Sequence, residues 1–333
     1  MILVTGGMGY IGSHTCVVLA EAGYQTLILD NLANSHLEVL DRLEQISGVR
    51  SQFVNGDVRD AQLLDELFLK HNITAVIHFA GLKAVGESLE IPFEYYDNNV
   101  TGSLTLLGAM KRAQVKNFIF SSTANVYGNF AEVPVAEEAA LEPNNPYGRS
   151  KLMIEQILAD LHLADSEWNI ACLRYFNPVG AHESGLIGEN PQGTPSNLMP
   201  IIASVAAGRR EKLQVFGDDY PTPDGTGMRD FIHVMDLAEG HLAALTHCLT
   251  QGGTVTVNLG TGQGYTVMQM INAFREASEK SIPCDIVARR TGDIVKSWAN
   301  PAKAKVVLGW QAKRGLMQMC VDTWRWTHHN QQR

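Results

Sequence analysis

The chain opens on an apolar run, Ile2 to Thr5, followed by a glycine cluster and an apolar helical pattern through Val17, Val18 and Leu19. Short apolar runs bounded by turn residues recur at Gln25 to Leu29, Gln52 to Asn55, Ala75 to Phe79, Asn117 to Phe120 and Ile170 to Tyr175, and read as strands. Between them the spacing turns helical over Ala61 to Lys70, from about Phe93 to Ala113, and after Pro146, whose missing N–H suits the first turn of a helix. This alternation is the pattern of a doubly wound parallel sheet of Rossmann type, whose ligands bind beyond the carboxyl ends of the strands. From Gly180 to Ser196 the texture changes to Gly, Pro, Asn and Glu, which reads as a long loop and a boundary. Beyond it, helices at Asn197 to Gly208, Asp236 to Leu249 and Met268 to Ser278 mix with strands at Leu213 to Phe216 and Thr254 to Asn258 and a loop at Pro221 to Gly227. The expectation is an α/β fold: a doubly wound domain over 1–178, to which 229–258 is a candidate to return, and a smaller mixed α/β domain over 179–333 that holds a substrate.

Composition narrows what such a fold can do here. At 333 residues, 45% apolar and 18% charged, the chain has the balance of a globular protein with a substantial core. Its formal charge of −9 argues against a nucleic-acid surface, although a local basic site for a phosphate stays open. No run reaches the length of a membrane span, and the apolar strand at the start is no secretory leader, so a cytoplasmic enzyme is expected. Cys16, Cys172, Cys248, Cys284 and Cys320 are widely spaced with no Cys-x-x-Cys pair, and the eleven histidines show no ligand spacing. They are expected to be incidental thiols and ordinary side chains, with His328 and His329 at an exposed helix end and no metal bound.

The glycine cluster reads Gly6-Gly7-Met8-Gly9-Tyr10-Ile11-Gly12. Glycines at 6, 9 and 12 permit a tight turn, close approach of backbone to a pyrophosphate, and close helix–strand packing at a helix N-terminus that favours the anion. The spacing is Gly-x-x-Gly-x-x-Gly rather than the commoner Gly-x-Gly-x-x-Gly. The second strand delivers Asp30 at the distance expected of an acid that bonds the adenosine ribose hydroxyls; a carboxylate there repels a 2′-phosphate, so NAD is preferred over NADP. The third delivers Asp57, a partner for the adenine amino group.

One stretch carries the chemistry. Ser121-Ser122-Thr123 ends the fifth strand, and Tyr147 and Lys151 fall at i and i+4 of the helix begun by Pro146, on one face. A free tyrosine, with a pKa of about 10, is a poor base, but a nearby ammonium favours the phenolate. Lowering it by roughly three units needs roughly 4 kcal/mol, so a second positive charge, such as a nicotinium ring, is expected beside it. The plainer alternative is a packed Tyr147 and a solvated Lys151 paired with Glu155.

Together these motifs resemble the extended short-chain dehydrogenase/reductase family and, within it, the UDP-glucose 4-epimerases. The similarity extends to Val4 to His14, His78 to Ser88, Leu173 to His182, Asn197 to Pro200, Asp219 to Gly227 and Arg229 to Asp236. The resemblance implies a Tyr147 base, a Lys151 that depresses its pKa and holds the nicotinamide ribose, and a Thr123 that bonds the sugar 4-hydroxyl and helps move its proton. It implies NAD contacts at Gly6, Gly9, Tyr10, Ile11, Gly12, Asp30, Asn31, Asp57, Val58, Phe79, Ala80, Gly81, Lys83, Asn98, Ser121, Tyr147, Lys151 and Phe176. Nucleotide-sugar contacts are implied at Thr123, Tyr147, Asn177, Asn197, Leu198, Arg229, Arg290 and Asp293. The implied activity is reversible C4 epimerisation of UDP-hexoses through a 4-keto sugar with NAD held throughout, by a homodimer that pairs the helices around Phe93 to Ala113 and Tyr147 to Asp165.

Two departures stand out. Asn125 replaces another small polar residue, a change given little weight. Ser297 stands where some members carry a tyrosine that narrows the hexose pocket, which leaves room for a 2-acetamido group. A nucleotide-sugar 4,6-dehydratase shares the fold, but its family members carry Asp-Glu directly after the Thr, where this chain has Ala124 and Asn125. A non-catalytic dinucleotide sensor is the other alternative; it would be expected to have lost Tyr147 or Lys151.

Overall fold

The computed structural model describes residues 1–129, 132–193, 195, 197–290 and 293–331; Thr194 and Ser196 of the Gly180–Ser196 loop lie outside them. In chain order the first half runs β1 (Ile2–Thr5), α1 (Tyr10–Glu21), β2 (Thr26–Asp30), α2 (Val39–Ser47), β3 (Gln52–Asn55), α3 (Ala61–Lys70), β4 (Ala75–His78), α4 (Val85–Glu90), α5 (Pro92–Tyr96), a π-turn (Asp97–Thr101), α6 (Gly102–Arg112), β5 (Asn117–Thr123), α7 (Pro146–Ala164) and β6 (Asn169–Tyr175). The second half contains β7 (Asn177–Val179), α8 (Leu198–Ala206), β8 (Leu213–Phe216), β9 (Met228–Arg229), β10 (Phe231–His233), α9 (Val234–Thr250) and β11 (Thr254–Leu259). It continues with β12 (Tyr265–Thr266), α10 (Val267–Ser278), β13 (Cys284–Val287), β14 (Lys296–Ser297), α11 (Ala302–Leu308) and α12 (Leu316–Gln331).

One parallel sheet of seven strands, in the order β11-β6-β5-β4-β1-β2-β3, organises the molecule. Alternate residues of each strand feed opposite cores, because side chains on a strand alternate: Ile2 and Val4 pack on the α1 and α9 side, Leu3 with α3 and α6 on the other. The chain runs from β1 outward through β2 to β3 and then crosses back to β4, on the other side of β1. That reversal opens a crevice beyond β1 and β4, where such sheets bind their ligands. A third core gathers α8, α10 and α12 around Ile202, Met270, Phe274 and Met319. Small sheets β12-β9-β14 and β10-β7 are built from strands of the second half, with β7 following β6 after a single residue.

Local signals act where expected. Asn145 caps α7 by accepting from Gly148 N at 2.8 Å, with Pro146 at its first position. The helix expected from about Phe93 to Ala113 is instead α5, a π-turn and α6. The wider turn brings Asn99 inward, fully buried, where its Oδ1 accepts from Leu82 N at 2.8 Å and its Nδ2 donates to Leu82 O and Ser150 Oγ. The apolar spacing does not predict α2 and α4. Cys16, Cys172, Cys248 and Cys320 are buried free thiols and Cys284 is half-buried. Among the described residues no helix is long and apolar enough to cross a membrane.

Candidate active site

The glycine loop fills the crevice so closely that side chains have no room. A Cβ on Gly12 would lie 2.3 Å from Gly6 O, and one on Gly6, at φ +69°, would lie 2.7 Å from Ala80 N. Glycine 9 precedes α1 with no side-chain cap, which leaves the first-turn N–H groups to an anion. This cradle fits a dinucleotide pyrophosphate. Asp30 at the end of β2 accepts from Met8 N at 3.0 Å, Leu32 N at 2.9 Å and Ser35 Oγ at 2.8 Å, so its carboxylate holds the loop. Asn31 donates to Asp57 at 3.1 Å. Asp57, the expected adenine partner, is gripped by Arg59 through Nε and Nη2, a pairing that holds its carboxyl down to about 2. Arg59 also reaches Asp97.

On the other side of the crevice Phe79, Ala80 and Gly81 follow β4, and Phe79 packs 4.7 Å from the His241 ring. Gly81 lies so near the site that a Cβ there would sit 3.6 Å from Lys151 Nζ. Val58 is buried against Gly102, Ile11 packs on the main core, and Asn98 is half-buried in the π-turn. Tyr10 reaches across the molecule to donate to Gly180 O at 2.7 Å.

Tyr147, Lys151 and Thr123 are all buried at the carboxyl edge of β5. Lys151 Nζ donates to Ser121 O at 2.9 Å and stands 4.9 Å over the Phe120 ring; burial pushes the ammonium down to about 8. The expected depression of Tyr147 is reversed in the protein alone. Burial pushes the phenol up to about 12, and the opposing influence is a hydrogen bond with Thr123. A single ammonium does not offset that desolvation, as the charge arithmetic of the sequence implied. Nor does Lys151 pair with Glu155. Glu155 is buried with Arg174 at 2.6 Å and accepts from Ser122 Oγ, while Arg174 continues to Tyr127 Oη at 3.1 Å. Tyr127 in turn donates to Asn258 of β11 at 2.7 Å. This buried chain, unnoticed in the sequence, fastens α7 to β5 and β6 directly behind the catalytic candidates; its one trace there is an arginine inside an apolar strand.

The other nucleotide-sugar candidates lie in the second half of the chain and fall into local groups. Ser297 of β14 pairs with Arg229 of β9 and is buried. Asn177 N donates to Asp230 O at 3.1 Å. Asp230 does not pair with Arg229; wholly buried, it accepts from Thr261, Gly262 and Ala299 and fixes the loop beneath Ser297. Arg290 pairs with Asp293 at 3.2 Å and stands 4.3 Å over the Phe216 ring. Burial pushes the Arg229 guanidinium down, with Asp293 opposing. Asn197 immediately precedes α8 and donates to Glu189 at 2.7 Å; Leu198 begins the helix. The same Glu189 oxygen lies 3.6 Å from Lys83, linking a cofactor candidate to a substrate candidate. Phe176 is buried between β6 and β7.

A doubly wound sheet with a glycine crevice beside a buried Tyr-x-x-x-Lys and a strand-end threonine is the build of an extended short-chain dehydrogenase/reductase. A family profile described as GDP-mannose 4,6 dehydratase matches residues 3–323. A UDP-glucose 4-epimerase of Bacillus subtilis (strain 168) is 56% identical over 329 residues, 99% of this chain and 97% of the relative. The crystal structure of a UDP-glucose 4-epimerase from Stenotrophomonas maltophila, with bound NAD and formylated UDP-arabinopyranose, superposes with a TM-score of 0.98 at 52% identity, covering 99% and 98% of the two chains. That of Bifidobacterium longum, with NAD+ and UDP, gives 0.95 at 50% identity over 99% and 98%. The chain belongs to the UDP-glucose 4-epimerase family.

Proposed function

We propose that this protein is an isomerase that interconverts UDP-glucose and UDP-galactose by inverting C4, with NAD retained through the cycle. The observation that carries this is the burial of Tyr147, Lys151 and Thr123 together at the sheet's carboxyl edge, with Gly81 against Lys151. When bound, NAD supplies the hydride acceptor and donor, and its oxidised ring the second positive charge beside Tyr147. The Tyr147 phenolate would take the proton from the 4-hydroxyl oxygen and, once the keto sugar has presented its other face for return of the hydride to C4, give that proton back to the same oxygen. Lys151 keeps the phenolate favourable and holds the nicotinamide ribose, and the glycine loop, Asp30 and Lys83 grip the rest of the cofactor. Arg229, Arg290, Asp293, Asn177, Asn197 and Leu198 hold the UDP portion, the arginines through their planar fork of donors. The hexose must be held more loosely than the nucleotide, because the keto sugar has to turn over before the proton and hydride return. A dehydratase additionally needs an acid and a base beside C5 and C6, and Ala124 and Asn125 supply neither.

The enzyme works in the cytoplasm as a homodimer that pairs the α5–α6 region and α7 across a two-fold axis. Phe93, 78% exposed, lines one shallow cavity with Met153 of α7, and Leu104 of α6 is also exposed. Purified protein given UDP-galactose and no added cofactor should form UDP-glucose by proton NMR, and light scattering should give twice the 36.5 kDa chain mass. No turnover even after NAD is supplied would reject the epimerase.

The small Ser297 also admits UDP-N-acetylglucosamine and UDP-N-acetylgalactosamine. Ser297→Tyr should cut N-acetylhexosamine turnover roughly ten- to a hundredfold, the scale of a steric misfit in a packed site, while sparing plain hexoses. Competition assays on folded variant decide this; equal N-acetylhexosamine turnover before and after the change rules it out.

A further inference from the structure

Asn125, given no role from sequence, follows Thr123 by two residues and donates to Thr123 Oγ1 twice: from its backbone N at 3.2 Å and from Nδ2 at 3.1 Å. A threonine hydroxyl has two lone pairs and one proton. With both lone pairs taken, Thr123 can engage another group only by donating, and the group it faces is the Tyr147 phenol. We propose that Asn125 is a positioning residue for proton transfer: it fixes the Thr123 hydroxyl as a one-way donor to Tyr147 and so leaves the phenol's own exchangeable proton to the substrate.

The inference rests on the epimerase reading given above and refines the role of Thr123. A freely rotating hydroxyl could equally accept from neutral Tyr147, which stabilises the acid form; a hydroxyl held as a donor stabilises the phenolate. The other groups around Tyr147 are committed elsewhere. Lys151 on its own helix donates to Ser121 O. Tyr95 Oη of α5 lies 2.7 Å from both Ala84 O and Glu87 Oε2, so its single proton is committed to that pair, and Tyr175 of β6 bonds Ser121 Oγ. The backbone turn alone fills one lone pair of Thr123; the amide of Asn125 fills the second. Aspartate is the same size but only accepts, so it would draw the Thr123 proton away from Tyr147.

The test uses full-length protein with its NAD, following UDP-galactose epimerisation against pH for Asn125→Ala, Asn125→Asp, Thr123→Val and the Thr123→Val, Asn125→Ala pair. The acid limb of the kcat profile should move up by about one unit in Asn125→Ala, further in Asn125→Asp, with kcat down about tenfold below the limb and KM little changed. In the Thr123→Val background Asn125→Ala should have no additional effect. An unmoved limb, a change in KM alone, or an undiminished loss in the Thr123→Val background would overturn the proposal. Retained NAD absorbance and an unchanged melting midpoint separate these outcomes from misfolding; if Asn125→Asp does not fold, the alanine cycle decides alone. Failure of the wild type to epimerise would instead sink the epimerase reading, which the variants do not test.

Discussion

Tyr147→Phe should lower kcat about a thousandfold, within the range that a positioned general base contributes. The ring keeps its place in the buried face of α7, so the melting midpoint and bound NAD should match the wild type while NMR shows UDP-galactose unchanged. Neither Tyr95 nor Tyr175 replaces the lost hydroxyl, because both are bonded to other groups. In the wild type, activity should rise with pH until the phenol is ionised. Burial, opposed by the Thr123 hydrogen bond, sets that point near 12 in the protein alone, and the charge of oxidised NAD brings it down, so a mid-range limb in the holoenzyme measures what the cofactor adds. A Phe variant that keeps activity within about tenfold would mean that Tyr147 is not the base.

Arg174→Met should destabilise the fold by about 3–5 kcal/mol, since it leaves Glu155 charged, buried and unpaired. Arg174 holds both Glu155 oxygens and also reaches Tyr127 Oη and Glu137 O. Removing Glu155 at the same time, as Arg174→Met with Glu155→Leu, should restore most of the loss, because two apolar groups fill the site without an orphaned charge. Urea unfolding midpoints should therefore fall in the order double variant, then single, with the double closer to wild type. A single variant as stable as the double would show that the pair is a minor contributor.

The parts of the site legible in sequence are those encoded locally. Glycines at 6, 9 and 12 mark a turn whatever lies around them, Asp30 ends an apolar run, and Pro146 places Tyr147 and Lys151 four apart on one face. The strands of the large sheet emerged for the same reason. What escaped depends on partners distant in the chain. Glu155 reads as the natural mate of Lys151 because they are one turn apart, yet Arg174, on a strand, takes it. Asn125 looks interchangeable in a line of small polar residues until the turn folds its amide back onto Thr123. One extra residue per turn in the Asp97–Thr101 segment barely disturbs hydrophobic spacing, so the broken helix read as continuous. The direction of the Tyr147 shift depends on the depth of burial, which no spacing reports.

The order of the large sheet also governs how the protein is born. β11 pairs with β6 from Thr254 opposite Ile170 to Leu259 opposite Tyr175, yet the ribosome makes them far apart, with β7, α8, β8, β9, β10 and α9 in between. Until Thr254–Leu259 has left the exit tunnel, β6 presents a bare row of backbone donors and acceptors to the cell. A truncated chain that stops after β6 would carry every glycine of the dinucleotide loop and still lack the closing strand, along with α9, which packs on α1. Expression of 1–178 alone should therefore yield an aggregating product rather than a free-standing nucleotide-binding unit, and nascent chains halted between Gly180 and Gly253 are where chaperones are most needed.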